Sequence, residues 1–340
     1  MVGSSFASFV PIAKSKPTMG LLSELKRAVQ AEHPGARVVL GAACADDEVA
    51  SSALGSSMQL LQRPEAAELV RRISVFVARV LGEPGLTGDA LALSVRAFYF
   101  AMDERLVRHP LWQGATPTAL DGARDAVEQL LMGRLHTRAL PPSAADAEQE
   151  ARARRRALCP LLTPDRLGMP AMFAQDAPWA EAQAELSAMS MYATPRNKCT
   201  CLLNCCARLN LGLAARGGGH GADEFLPALV TVMLHCPLRP LAASIAYAGA
   251  YRHPLRLEAD GESRCYLTHA LSALEFIRTC GASQLVGVSP RAFAVAMAVG
   301  LRGAALEEAE AVTAEERSAR EVPPLVARGG GSGLFFSMRW

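Results

Sequence analysis

The stretch Gly221-Ala222-Asp223-Glu224-Phe225-Leu226-Pro227 stands between a run of glycines and an almost wholly apolar segment, residues 227–236. Asp223 is placed to cap a helix, because an N-cap carboxylate accepts hydrogen bonds from the N–H groups that open it. Pro227 suits the first turn, where its missing N–H does no harm. The apolar segment suits a helix surrounded by other elements. These residues predict a loop that presents acidic groups at the start of a buried helix.

The composition is that of a globular chain close to neutrality. Hydrophobic residues make up 50% of the 340 residues and charged residues 20%, which is too apolar for a disordered chain. The formal net charge of +2 gives no support to nucleic-acid binding, although it is compatible with a local basic patch. Nine cysteines without the regular spacing of a disulfide framework favour a reducing compartment.

No segment has the pattern of a signal peptide or of a membrane span. The N-terminus lacks an apolar core behind its basic residues. The longest apolar stretch near the end, residues 285–301, is interrupted by Pro290 and Arg291. The sequence therefore predicts a cytoplasmic protein whose association with membranes is peripheral.

Helical spacing of apolar residues begins at residue 65 and recurs to about residue 281. Leu69, Ile73, Phe76 and Val80 follow the i, i+4, i+7, i+11 spacing of one helix face. A second helix is predicted over residues 89–107. Its predicted core residues are Leu93, Phe98, Phe100 and Met102.

Further helices are predicted to begin at Thr116-Pro117 and Thr194-Pro195, which are N-cap residues followed by proline at the first helical position. The segment before residue 62 is rich in Ser, Ala and Gly and is predicted to be a flexible leader, with one helix around residues 21–31. Because no strand-rich region is evident, the predicted fold class is all-α.

Several motifs, in order, resemble those of one family, the vacuolar-protein-sorting-nine domain, which is the exchange-factor domain for Rab small GTPases of the early-endosome class. They are Thr194-Pro195-Arg196-Asn197-Lys198, Leu203-Asn204-Cys205-Cys206, the stretch from Gly221 to Pro227, and Gly261-Glu262 followed by Tyr266-Leu267-Thr268. Upstream, His109-Pro110-Leu111-Trp112 resembles the helical bundle that precedes the domain in plant-type members. The resemblance covers roughly residues 90–285.

The resemblance implies a helical bundle base packed on a layered all-helical exchange domain. The implied divisions are a leader at 1–62, the bundle at 63–157, the exchange-factor domain at 158–285, and a C-terminal helix with a loose tail at 286–340. It also implies a peripheral endosomal protein that binds an early-endosomal Rab GTPase in its GDP-bound and nucleotide-free states. No cofactor and no metal are implied.

In the family, the acidic residue of the loop does the central work of GDP release, and that position falls on Asp223. By the same resemblance, Pro227, Thr268 and Tyr266 are implied to contact the GTPase. Exchange needs no covalent chemistry, because a carboxylate near the phosphate-binding lysine competes with the nucleotide for the same positive charge and disturbs the Mg²⁺ site. A plain N-cap remains the structural alternative for Asp223.

One position departs from the family pattern. The family has tyrosine three residues before the threonine that matches Thr268, whereas this chain has Cys265, with Tyr266 one residue later. One residue on a helix corresponds to about 100° of rotation, so Tyr266 takes the place of the family tyrosine only if the loop at residues 258–261 shifts the register of the helix. A non-catalytic Rab-docking or scaffold protein that has lost exchange activity is therefore the alternative function.

A third hypothesis comes from the cysteines. Cys201 and Cys205 have i, i+4 spacing and could share a helix face, which is one permissible zinc pair. No second pair follows, so the cysteines are interpreted as small core residues. Motifs of serine hydrolases, phosphate-binding loops and H-E-x-x-H metalloproteases are missing from the sequence.

Overall fold

The computed structural model describes residues 42–140, 145–169, 179–215, 222–238 and 240–303, and every regular element within these ranges is helical. The predicted all-α class is therefore confirmed. None of the helices in these ranges is both long and apolar enough to cross a membrane. Residues 21–31 and the glycine run at 217–219 lie outside the described residues, as does everything after 303.

Four helices build the N-terminal half of the described structure, and a short 3₁₀ turn, Pro64–Ala66, lies between the first two. They are α1 (Ala42–Leu61), α2 (Ala67–Gly82), α3 (Gly88–Arg108) and α4 (Pro117–Ala139). At the start of α4, the Thr116 hydroxyl accepts a hydrogen bond from the Ala119 N–H, which confirms the predicted N-cap. Trp112 is buried in the turn before it.

Helix α1 corrects the prediction that residues 1–62 form a flexible leader, because residues 42–61 are helical and pack along α4. The two helices approach closely at small residues. A Cβ atom at Gly122 would lie 2.5 Å from the carbonyl atoms of Ala53, so only glycine permits this contact. Packing of small residues against each other leaves no apolar stripe in the sequence, and this explains why the helix is not predicted.

The core side of α3 also differs from the prediction. Met102 is buried as expected, but Leu93 and Phe100 are 64% and 43% exposed. The helix instead buries a face centred on Leu91, Val95, Tyr99, Met102 and Leu106. The predicted core face of α2 is confirmed, since Leu69, Ile73, Phe76 and Val80 are all buried.

The second half begins with α5 (Ala145–Leu158), α6 (Trp179–Ser187), α7 (Pro195–Ala214) and α8 (Ala222–His235). It continues with α9 (Leu241–Tyr251), α10 (Pro254–Ala259) and α11 (Gly261–Thr279). A last helix, α12, covers residues 290–303. Helices α7, α8 and α11 pack on one another, so α8 is surrounded as its apolar sequence predicts.

Helix α9 belongs to both hydrophobic cores. Leu241, Ile245 and Ala248 lie in the core of the second half. Tyr247 and Tyr251 lie in the core formed by α2, α3 and α4. One helix thereby joins the two halves.

A buried ionic cluster reinforces that junction. The Glu128 carboxylate of α4 accepts hydrogen bonds from the Arg196 backbone N–H, the Arg252 guanidinium and the His253 backbone N–H, each at 2.7 Å. Asp125, one turn earlier on α4, accepts a second bond from Arg252 at 2.7 Å. Buried charges are tolerated when they are paired and hydrogen-bonded in this way. The cluster therefore fixes α7 and the α9–α10 junction against α4.

His253 makes the stability of this junction dependent on pH. Burial, with Arg252 beside it, lowers the pKa of His253 to about 3. Between pH 3 and about 6.5 the unfolded chain binds a proton at this residue and the folded chain does not, so stability falls as the pH falls. We expect wild type to lose roughly 1.4 kcal/mol more per pH unit than His253→Gln between pH 6 and 4.5. Urea unfolding at pH 7.5, 6 and 4.5 measures this difference, and an equal loss of unfolding free energy in the two proteins between pH 6 and 4.5 would contradict it.

Candidate functional site

Asp223 lies in the first turn of α8, which begins at Ala222. The prediction that Asp223 is the N-cap is therefore wrong by two positions, because Asp223 is the second residue of the helix. Its backbone is described, whereas its side chain lies outside the described part of the structure. Acidic residues in a first turn interact favourably with the partial positive charge of the helix N-terminus.

Pro227 lies inside α8 rather than in its first turn, which corrects the second prediction for this loop. A proline has no N–H, so the usual bond from residue 227 to the carbonyl of Asp223 cannot form. One turn later, the Thr231 hydroxyl donates a hydrogen bond to the Pro227 carbonyl at 3.0 Å. The start of α8 therefore has one backbone bond fewer than a regular helix.

Phe225 ties the start of α8 to α11. Its ring centroid lies 5.6 Å from that of Tyr266 and 5.4 Å from that of His269. Ring pairs at these separations attract each other beyond the area they bury. Since Phe225 is buried two residues after Asp223, this contact fixes the helix turn that carries the acidic residue.

Tyr266 is held in the interior between three helices. It is 5% exposed, and its hydroxyl accepts a hydrogen bond from the Asn210 amide of α7 at 3.1 Å. Burial raises the pKa of Tyr266, so the hydroxyl stays protonated. The ring of Tyr266 thus packs against Phe225, and its hydroxyl is directed to α7 and not to the surface.

Thr268 and Cys265 lie three residues apart on α11, about 60° apart around its axis, but they differ in exposure. Thr268 is partly exposed, and its hydroxyl donates to the Arg264 carbonyl at 2.9 Å. Cys265, at the position of the family tyrosine, is buried, and its sulfur lies 3.8 Å from Nε2 of His269. Of the predicted contact residues on α11, Thr268 is therefore accessible and Tyr266 is not.

The motif at residues 194–198 serves the junction between the two halves. Arg196 contributes its backbone N–H to Glu128 and its guanidinium to Asp125, 3.4 Å away. Lys198 is buried and donates to the Met189 carbonyl at 2.6 Å. These contacts show that the motif supports the architecture around the site. Sequence reasoning misses Asn210 and Phe225 as supporting residues, although both lie inside or beside quoted motifs.

The cysteines of α7 are core residues, as predicted. Cys201 and Cys205 are buried as free thiols, and burial raises the pKa of Cys201 to about 11. Among the residues that the structure describes, no three metal-ligating side chains lie together.

Comparison with known proteins finds two family models that match parts of this chain. The family model of the Vacuolar sorting protein 9 (VPS9) domain matches residues 179–282, and a domain of unknown function (DUF5601) matches residues 66–136. The first match contains Asp223, Pro227, Tyr266 and Thr268.

Curated relatives extend the similarity over both halves. Vacuolar protein sorting-associated protein 9A of Arabidopsis thaliana is 29% identical over 67% of this chain and 45% of its own length. The protein of the same name from Oryza sativa subsp. japonica is 29% identical over 65% of this chain and 47% of its own length. The Schizosaccharomyces pombe protein vps901 is 25% identical over 71% of this chain and 44% of its own length.

The chain spans about half the length of these relatives. Its match to the domain family and its similarity to the plant proteins agree with the resemblance carried by the motifs. Residues 179–282 therefore match the VPS9 domain, and over about two thirds of its length the chain is similar to plant proteins named for vacuolar protein sorting.

Proposed function

We propose that this chain is a guanine nucleotide exchange factor that promotes GDP release from an early-endosomal Rab small GTPase. The observation that carries the proposal is the position of Asp223 in the first turn of α8, inside the segment that matches the VPS9 domain. The printed names of the relatives, which refer to vacuolar sorting and to receptor-mediated endocytosis, support a role in endosomal traffic.

The proposed mechanism is electrostatic competition. A bound nucleotide is held by the lysine and backbone N–H groups of the GTPase phosphate loop and by Mg²⁺. The Asp223 carboxylate, brought up to that lysine, takes over part of the positive charge and repels the phosphates. The complex then favours the nucleotide-free GTPase, because an exchange factor shifts the equilibrium only by binding that state more tightly.

The surroundings of Asp223 suit this role. Phe225 anchors the first turn of α8 to α11 through its contacts with Tyr266 and His269. A charge on a fixed turn loses little conformational entropy when it meets its partner. Pro227 and Thr268 are proposed to contact the GTPase from α8 and α11.

Tyr266 is proposed to act by positioning and not by direct contact. Its hydroxyl bond to Asn210 and its ring contact with Phe225 connect α7 to the acidic turn of α8. In the exchange assay described below, Tyr266→Phe should lower the maximal rate of release more than the apparent affinity for the GTPase. A loss of affinity alone would indicate direct contact.

We further propose that the chain acts as two cooperating helical units at an endosomal membrane to which it is recruited from the cytoplasm. The first unit is α1–α4 and the second is α5–α11, since α1 packs on α4 and α5 packs on α8, α9 and α11. The ionic cluster around Glu128 and Arg252 supports their cooperation, because it joins α4 to the α9–α10 junction through buried contacts.

A non-catalytic docking protein is the second candidate function. Cys265 favours it, because this buried thiol occupies the position of the family tyrosine and is 6% exposed. At this position α11 then offers the GTPase no tyrosine side chain of the kind that the family presents. Docking through α8 would remain possible while GDP release is slow.

Release of fluorescent GDP from a panel of purified Rab proteins, with and without this chain, tests both candidates. The exchange-factor proposal predicts faster release from at least one early-endosomal Rab in proportion to the concentration of the chain. Unchanged release together with stable binding of the nucleotide-free GTPase would establish the docking function instead. Absence of both would overturn the Rab partner itself.

A further inference from the structure

The outer face of α3 carries an apolar stripe that the rest of the described structure leaves uncovered. Leu93, Phe100 and Val107 are spaced seven residues apart and are 64%, 43% and 48% exposed. Seven residues are close to two helical turns, so the three side chains form one line along the helix. This line is opposite the buried face of α3 that contains Val95 and Met102.

The charges beside the stripe are arranged symmetrically about Phe100. Arg96 lies four residues before it and Glu104 four residues after it, and both are exposed. Neither has an ion-pair partner among the described residues. Asp103, the other nearby carboxylate, is already held by Arg124 at 2.6 Å.

We propose that the outer face of α3 is a docking surface for a second copy of this chain, with the two α3 helices antiparallel and crossing at Phe100. In this arrangement Phe100 meets its own counterpart, and Leu93 of each copy meets Val107 of the other. Arg96 of each copy then lies level with Glu104 of the other. A two-fold interface requires this kind of self-complementary surface.

The stripe favours a second copy as its partner because its pattern is self-complementary. When one helix is antiparallel to the other, apolar residues meet apolar residues and each arginine lies level with a glutamate. A different partner would need to supply the same pattern by coincidence. Helix α3 packs mainly on α2, α4 and α9, and α8 and α11 are not among these neighbours, so we expect two paired copies to keep the candidate GTPase site open. An interface of this small size is expected to be weak and concentration-dependent, since interfaces below about 1,200 Å² are typically transient.

Disulfide cross-linking tests the predicted register directly. Phe100→Cys alone should form a covalent dimer under mild oxidation, whereas Leu93→Cys alone should not. A mixture of Leu93→Cys and Val107→Cys should cross-link as a heterodimer. The unmodified chain is the control, because seven of the eight cysteines whose side chains are described are buried. Cross-linking of Leu93→Cys to itself would indicate a parallel pair and would overturn the proposal.

Charge-reversal variants provide the matched test in solution. Sedimentation velocity over a range of concentrations measures their self-association. Arg96→Glu should weaken self-association about tenfold, which corresponds to ~1.4 kcal/mol. Glu104→Arg should have a similar effect, and the double variant should restore the wild-type affinity. A chain that stays monomeric at all concentrations, with no cross-linking at position 100, would rule out a second copy. If the stripe is shielded from solvent in such a monomer, residues 1–41 of the same chain would be inferred to cover it.

Discussion

Replacing Asp223 with asparagine is expected to reduce the rate of Rab GDP release by about a hundredfold, while the chain stays folded and keeps binding the GTPase. Asparagine preserves the shape of the side chain and removes its charge, so the competition for the phosphate-loop lysine is lost. Removal of one preorganised group that stabilises charge typically costs a rate factor of about 10²–10³. Stopped-flow release of fluorescent GDP under saturating exchange factor measures the effect.

Glu224→Gln is the matched control for Asp223→Asn. It removes the same charge from the adjacent residue, which points about 100° away around α8. Release should stay within about threefold of wild type, because a first-turn carboxylate that only interacts with the helix dipole contributes about 0.3–1 kcal/mol. If Asp223→Asn releases GDP as fast as wild type, the proposed mechanism is wrong even where the chain is an exchange factor.

The second large effect is expected on stability. Glu128→Ala should lower the free energy of unfolding by roughly 3–5 kcal/mol, the typical cost of removing one partner from a buried ion pair. The carboxylate satisfies three donors, and its loss leaves Arg252 with Asp125 as its remaining described acidic partner. Chemical denaturation followed by circular dichroism measures the change.

Glu275→Ala is the control for Glu128→Ala. Glu275 pairs with Arg278 at the surface of α11, where the Arg278 side chain is 68% exposed and the Glu275 side chain is 34% exposed. Exposed pairs of this kind contribute about 0–1 kcal/mol. A loss below about 1 kcal/mol for Glu128→Ala would show that the cluster does not hold the two halves together.

The sequence predicts most helices of this fold because their apolar residues recur at helical spacing. The face of Leu69, Ile73, Phe76 and Val80 is an example, and the buried segment after Pro227 is another. Helix α1 is not predicted in this way, because α1 and α4 approach each other at two small residues, Ala53 and Gly122. Close backbone packing has no signature in hydrophobic periodicity.

The error on α3 has a different origin. Leu93 and Phe100 are apolar and helical in spacing, so they compete with Leu91 and Val95 for the predicted core face. Hydrophobicity alone cannot decide which of two apolar faces is buried, because exposed apolar residues are common on protein surfaces. The packing of Tyr99 against Tyr251 and His253 decides it in the structure.

The residues proposed for the candidate site come from the sequence, whereas their spatial arrangement does not. The motifs predict roles for Asp223, Pro227 and Thr268, which stay predictions, and the structure places these residues on two helices that pack together. The burial of Tyr266 depends on its hydrogen bond to Asn210, which is 56 residues away in the chain. The partners of Glu128 are likewise up to 125 residues distant, so local patterns cannot reveal them.

Helix α9 has a consequence for how the molecule unfolds. Its 11 residues supply side chains to both cores. Neither core can therefore unfold without removing apolar contacts from the other. The two halves should therefore share one cooperative calorimetric transition, in which the van't Hoff and calorimetric enthalpies agree. In thermodynamic terms the described helices behave as one folding unit, although two separate families match their sequence.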